Sequence, residues 1–287
     1  MPVARTKALL LTSLLLASAP IADSLASKPA QQWRDGWGLA ATSLPAGSDT
    51  PATVLKLQPR GQNVQVWAEH GAHGPHLLRL RSRAGASDTI APQQRLISGP
   101  GRQLLAELPA GPAYALELEA LPGRPLAAAA AHAYALPFDP AAGVRVHQAA
   151  HGSASHHDLQ NRHAWDFALA EGSVVLAARG GRVMATHGSA CCPSRVPGDG
   201  GNWVRVEHAD GSMAIYAHLQ PGSLQVRAGQ AISTGQALAR VGNTGYSTAP
   251  HLHFAVQLND GQALRSIGIH MNGPQGRLQA PAGNAAP

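Results

Sequence analysis

The sequence predicts an all-β protein in two parts: a small sandwich-like domain, then a second and longer β-domain. Three observations predict it. Short runs alternate apolar and polar residues with the period of two that a half-buried strand requires. The chain carries 31 Gly and 22 Pro, and these place turn signals between nearly all of the runs. In the second half no long segment repeats its apolar residues every 3.6 positions, as a helix would.

The totals are consistent with two domains. The chain has 287 residues, of which 44% are hydrophobic, enough for a sizeable core. Only 13% are charged, which excludes a long disordered polyelectrolyte. The formal net charge is +6, so polyanions attract the protein. The Lys and Arg residues are scattered without a dense run, so no nucleic-acid partner is expected. An aromatic fraction of 4% is thin for a surface that stacks on sugars.

Residues 1–26 read as a secretory signal. Arg5 and Lys7 form a positive start, Ala8 to Ala17 form a short apolar run, and Ser24-Leu25-Ala26 offers small residues before a cleavage point. The run is too short for a comfortable membrane span, so no stable span is expected once the signal is removed. Cleavage there would remove Arg5, Lys7 and Asp23 and leave 20 basic against 15 acidic residues, a net of +5. The expected location is periplasmic or secreted. Cys191 and Cys192 are adjacent, which leaves a tight vicinal bridge, an intermolecular bridge or two thiols. A zinc site at this pair would need more ligands, and only His187 is near.

Residues 27–52 read as an extended lead-in, within an N-terminal β-domain expected over 27–130. In it Val64 and Val66 flank Gln65, Leu78 and Leu80 flank Arg79, and Tyr114, Leu116 and Leu118 alternate with Ala115 and Glu117. His70, His73 and His76 are spaced by three, but Gly71, Gly74 and Pro75 break any helix that would align them, so surface loops are expected. The Ala-rich stretch 122–133 reads as a joint, either a helical turn or a plain linker. The second domain, expected over 134–268, has strand-like runs at Val174–Ala178, Arg182–Ala185, Trp203–Glu207, Ala214–Ala217, Ala237–Val241 and His253–Leu258. From Gly273 the tail is rich in Gly, Pro, Ala and Gln, and disorder is expected over 273–287.

Three short segments carry the chemistry. In His251-Leu252-His253, a strand would point both imidazoles to one face. Tyr216-Ala217-His218-Leu219 follows the turn at Asp210-Gly211. Ser155-His156-His157-Asp158 precedes Ala164-Trp165-Asp166-Phe167, with Asp166 ten residues after His156. One carboxylate and two imidazoles meet the protein-ligand count of a catalytic zinc.

From about Tyr134 to Leu258 the chain resembles the lysostaphin/LytM-type zinc metallopeptidases. The resemblance runs in order through Gln148 to Gly152, Ser155-His156, Asn161, Ala164 and Asp166-Phe167. It continues through Glu171 to Val175, Gly181-Arg182-Val183, Gly201-Asn202-Trp203-Val204, His208 to Gly211 and Tyr216 to Leu219. Gly229-Gln230, Gly235-Gln236, Gly242 to Gly245 and His251-Leu252-His253-Phe254 complete it. It implies a compact LytM-type β-domain around a zinc groove, with Zn2+ as cofactor and the peptide stems of peptidoglycan as substrate. It implies His156, Asp166 and His253 as metal ligands, His251 as general base or water-positioner, and His218 as the group that polarises the scissile carbonyl or stabilises the developing oxyanion.

One departure is visible. The commoner family spacing, His-x-x-x-Asp, would need a histidine where Arg162 stands, so the longer Ser-His…Asp form applies. His157 is the alternative first ligand, one residue on, and Ser155 favours His156. His163 is read as packing beside the ligands, and His208 as a hairpin residue. Some relatives of this kind have lost ligands and act as inactive modules that bind cell wall and regulate other murein hydrolases. All five key side chains stand in this chain, so an active hydrolase is expected.

Overall fold

The computed structural model describes residues 49–112, 114–143, 145–152, 156–273 and 276–278. The expected signal segment and most of the lead-in lie outside these residues. All of the described residues belong to one compact unit. Among the described residues the regular elements are strands and one 3-10 turn at Pro140–Ala142, so the all-β expectation holds. No helix among them is long and apolar enough to cross a membrane.

Six strands build the first part: β1 (Val54–Arg60), β2 (Asn63–His70), β3 (His76–Ser82), β4 (Gln93–Ile97), β5 (Gly101–Pro109) and β6 (Leu116–Pro122). They form two three-stranded sheets, ordered β1-β2-β5 and β4-β3-β6. Alternation explains the packing. Val66 and Ala68 of β2 and Leu105 of β5 turn inward and meet Leu78 and Leu80 of β3 and Leu116 of β6 in one apolar cluster.

The histidines of this part differ from expectation. His70 ends β2 and His76 begins β3, both are buried, and their rings meet edge to face with centroids 4.3 Å apart. Gly71 and Pro75 end the strands, as their chemistry requires, but the flanking histidines turn in against each other rather than out to water.

Thirteen further strands follow: β7 (Ala133–Ala135), β8 (Arg145–Gln148), β9 (Trp165–Ala168), β10 (Val174–Leu176), β11 (Gly181–His187), β12 (Asn202–Glu207) and β13 (Met213–Leu219), then β14 (Ala231–Ile232), β15 (Ala237–Arg240), β16 (Leu252–Asn259), β17 (Leu264–Ser266), β18 (His270–Gly273) and β19 (Gly276–Arg277). The main sheet runs β14-β11-β12-β13-β16-β9-β8, with β17 added beside β16. Strands β10 and β15 pair separately.

The two faces of the main sheet have different fates. Val204, Val206, Tyr216, Phe254, Val256, Trp165 and Phe167 fill the main apolar core, and the Tyr216 hydroxyl accepts from Ala178 N at 2.9 Å. Burying an aromatic or aliphatic side chain of this size stabilises by about 2 kcal/mol. The opposite face carries His253, Asp166, Ala217, Ile215, Ala255 and Arg205. The register fixes this. His253 lies opposite Asp166 on β9 and opposite Ala217 on β13, while Ile215 lies opposite both Ala255 and Arg205. Directly opposed residues share a face.

The first part packs onto that second face at its far end. Leu77 and Leu121 join Met184, Met213 and Leu264 in an apolar cluster. His73 N donates to Met184 O at 2.8 Å and Leu126 N to Asn259 O at 2.8 Å. Residues 122–133 form an extended joint rather than a helical turn. At the C-terminus, β18 pairs with β7 and turns back on β19. The expected disorder therefore does not begin at Gly273, because backbone pairing holds Gly273, Gly276 and Arg277, and Leu278 N bonds Met271 O. Residues 279–287 lie outside the described set.

Candidate metal centre

His156, Asp166 and His253 converge on one point, with one ligand-type atom from each lying within 4.8 Å of the others. All three residues are buried. Asp166 and His253 come from the facing strands β9 and β16. His156 comes from the turn after β8, where its N–H donates to Gly152 O at 3.1 Å. His253 Nδ1 is 2.9 Å from Asp166 Oδ1, and His156 Nε2 is 3.2 Å from Asp166 Oδ2.

Hydrogen bonds on the outer side of each ring decide which nitrogen is bare. A carbonyl or amide oxygen only accepts, so the ring nitrogen beside it carries the proton. His156 Nδ1 donates to Ala149 O at 2.8 Å, and His253 Nε2 donates to Asn161 Oδ1 at 3.1 Å. Asn161 is itself aimed by Asp158, which accepts from its side-chain amide at 2.9 Å. The inward nitrogens, His156 Nε2 and His253 Nδ1, are therefore lone-pair acceptors, and both face a carboxylate that is also an acceptor. His156 Nε2 is buried with no partner in hydrogen-bond geometry. Three acceptors with no donor between them fit a divalent cation, and a set of two imidazoles and one carboxylate suits zinc with one position left open.

The electrostatics show that the cluster draws positive charge, whether a proton or a cation. Burial opposes ionisation of Asp166, yet contacts from His156 and His253 hold its carboxyl well below the usual carboxylate range. Burial likewise disfavours the charged form of His156, but the Asp166 carboxylate outweighs this and raises its pKa. Gln148 Nε2 donates to Asp166 Oδ2 at 3.2 Å and orients the carboxylate.

Two further imidazoles flank the cluster. His251 Nε2 lies 3.9 Å from Asp166 Oδ1, and its Nδ1 donates to Ala249 O at 2.9 Å. The His218 ring lies 4.6 Å from that of His251 and 5.8 Å from that of His253, and its Nδ1 donates to Thr244 O at 2.8 Å. Burial lowers the pKa of both rings, that of His218 to about 3, with the neighbouring imidazoles adding to the effect. Both are neutral bases at pH 7.

His218 sits at φ 62°, a left-handed conformation that costs a non-glycine residue about 1 to 3 kcal/mol. Its surroundings impose that conformation. His218 N donates to Gly200 O at 3.0 Å and Gly242 N to His218 O at 3.1 Å. Behind it the loops at Gly201 and Gly245 press together at positive φ, and a Cβ on either would collide with the backbone of the facing loop. Cys191 and Cys192 form a vicinal disulfide in the adjoining loop, which bonds to Gly245 through Cys192 O. His187 pairs with Asp49 at 3.3 Å instead of joining the cysteines.

The five side chains singled out in the sequence come together, whereas His157 is exposed and outside the cluster. His163 packs its ring against His151 at 5.1 Å, and His208 donates from Nδ1 to Gly180 O at 2.9 Å. The orienting groups Gln148, Asn161, Asp158 and the carbonyls of Ala149, Thr244 and Ala249 carried no assigned role in the sequence. Gln148 and Asn161 stood in the resembling stretches, but their partners become visible only once the strands are paired.

Residues 160–265 match the family model described as Peptidase family M23. An uncharacterized metalloprotease of Haemophilus influenzae is 34% identical over 108 residues, 38% of this chain and 21% of the relative. The DD-carboxypeptidase/endopeptidase Mpg of Neisseria meningitidis is 31% identical over 133 residues, 46% of this chain and 27% of the relative. The matched stretch thus spans about a quarter of the length of these relatives. Among solved structures, the catalytic domain of lysostaphin from Staphylococcus simulans is 27% identical, with a TM-score of 0.32, covering 42% of this chain and 82% of that one. Within the C-terminal β-domain, residues 160–265 carry the similarity to peptidase family M23.

Proposed function

We propose that the protein is an exported, zinc-dependent endopeptidase that hydrolyses peptide cross-links of peptidoglycan. The observation that carries this reading is the convergence of two bare imidazole nitrogens on one buried carboxylate, with two neutral imidazoles alongside. His156 Nε2, Asp166 and His253 Nδ1 would hold the metal. Bound zinc supplies Lewis acidity, which acidifies water and polarises a carbonyl.

The chain's own residues supply the proton handling. His251, neutral and with Nδ1–H fixed by Ala249 O, takes the proton of the attacking water on Nε2 and returns it to the leaving amine. His218 is assigned to the developing oxyanion. Its Nδ1–H is committed to Thr244 O, which fixes the ring beside that position. Asp158 and Asn161 hold the tautomer of His253 throughout.

The name of a curated relative, the peptidoglycan DD-endopeptidase ShyA of Vibrio cholerae, supports a peptidoglycan peptide as substrate. The bond we assign is the D-alanyl–diaminopimelate cross-link. Residues 1–26 would direct export and be removed, leaving the N-terminal β-domain from residue 27 and the peptidase domain over 134–268. A regulator without activity would be expected to lack ligands, and all five side chains are present. The test is mass spectrometry of muropeptides after digestion of purified peptidoglycan. Cross-linked dimers should fall to monomers, a chelator should stop this and zinc should restore it. Intact dimers after incubation with the zinc-loaded protein would overturn the reading.

A further inference from the structure

Arg205 stands on the floor of the same sheet face as the candidate metal centre. It lies opposite Ile215, which lies opposite Ala255, two residues beyond His253 on β16. Two strands across and two residues along place its Cα roughly 12 Å from that of His253 by ordinary sheet spacings. Between them the floor is small and apolar: Ala164, Ile215 and Ala255 pack there with Trp203.

Its surroundings are unusual for an arginine. Nη1 donates to Gln257 Oε1 at 2.7 Å, and Gln257 is buried and held through its amide by Gln160 O at 3.0 Å. Among the described residues no carboxylate pairs with Arg205. Glu207, two residues on along the same face, has Arg124 and Arg182 as its charged neighbours. Desolvation draws the Arg205 pKa down to about 10 with no acidic group to offset it. The residue still keeps part of its surface open. A buried cation normally has a counter-ion, because leaving one unpaired is costly. A guanidinium held by a neutral amide retains its other donors in the fork geometry that matches a carboxylate. The first β-domain closes the face beyond this point: His76 is close enough to feel the Arg205 charge, and Leu77 lies in the apolar cluster with Met213.

We propose that Arg205 is a specificity-determining residue that binds a free carboxylate of the peptide substrate, one or two residues from the bond cleaved, at the end of the groove walled by the first β-domain. This rests on the peptidase reading for the identity of the ligand, and on the placement of Arg205 for the site. It makes the unpaired cation the docking point that sets which end of a charged peptide enters.

The test uses the zinc-loaded full-length protein and pairs of cross-linked muropeptide dimers, each with one carboxylate free or converted to the carboxamide. Both Kd by calorimetry and kcat/KM by chromatography are read. For one carboxylate the free acid should be favoured about tenfold or more, mainly in Kd and KM, as a charge-assisted bond supplies. R205Q should bring that ratio below about threefold. Q257E, which places an internal carboxylate on Arg205 and keeps the guanidinium paired, should do the same. Near-equal use of acid and amide at every position by the wild type, or an unchanged ratio in R205Q, overturns the assignment. Preferential binding without cleavage would uphold Arg205 and refute the peptidase reading. Cleavage without preference would do the reverse.

Discussion

His253 and Asp166 face each other across β16 and β9 with Nδ1 2.9 Å from Oδ1, while the far nitrogen of the same ring donates to Asn161. That pair of contacts makes the inner nitrogen an acceptor opposite another acceptor. The arrangement is stable only with a positive charge between the atoms, and His156 Nε2 meets the same carboxylate from the other side.

Removing the outer anchor should therefore weaken metal binding without unfolding the sheet. In Asn161→Ala the His253 ring loses the partner that keeps Nδ1 bare. Zinc affinity should fall about 10- to 100-fold, the scale for such orienting partners. Competition with a chromogenic chelator reads this, and an unchanged affinity would show that the tautomer is set elsewhere.

His251→Ala should keep stoichiometric zinc and lose activity by about a hundredfold or more, since a general base typically contributes 10²–10⁴. Metal analysis and muropeptide release on the same sample separate the two effects. A protein without zinc would make His251 a ligand instead.

The buried histidines outside the centre bear on acid stability. Burial lowers the pKa of His76 and of His208 to about 4. Between pH 6.5 and 4 the unfolded chain binds protons that the folded chain refuses. The stability these groups contribute is fully present above pH 6.5 and is lost as pH falls towards 4, on the order of 3 kcal/mol for each. Chemical denaturation of the metal-free protein across this range should show the loss, and His208→Gln should flatten it.

Gly201→Ala places a Cβ against the backbone of Thr244, at a φ of 59°. Since Thr244 O holds His218, the variant should lose about 1 to 3 kcal/mol of stability and most of its activity while retaining zinc. Thermal melts with metal analysis check this.

Much of this was legible in the sequence for a physical reason. Period-two alternation marks strands such as Trp203–Glu207 and His253–Leu258, and the His-x-His spacing projects two imidazoles to one face of such a strand. What was not legible depends on register. Nothing local says that Asn161 meets His253 or that Thr244 meets His218, because those contacts join residues 92 and 26 positions apart. His70 and His76 misled for a related reason: Gly71 and Pro75 signal a break correctly, but only the folded chain shows the two rings turned inward. Arg205 carries no motif at all and stands out only when its neighbours across the sheet are known.

Zinc K-edge absorption of the purified protein reads the ligand set around the metal itself. Two imidazole nitrogens and carboxylate oxygen should surround one zinc, with one imidazole lost in His253→Ala. Sulfur in the coordination shell, or an identical spectrum in that variant, would contradict it.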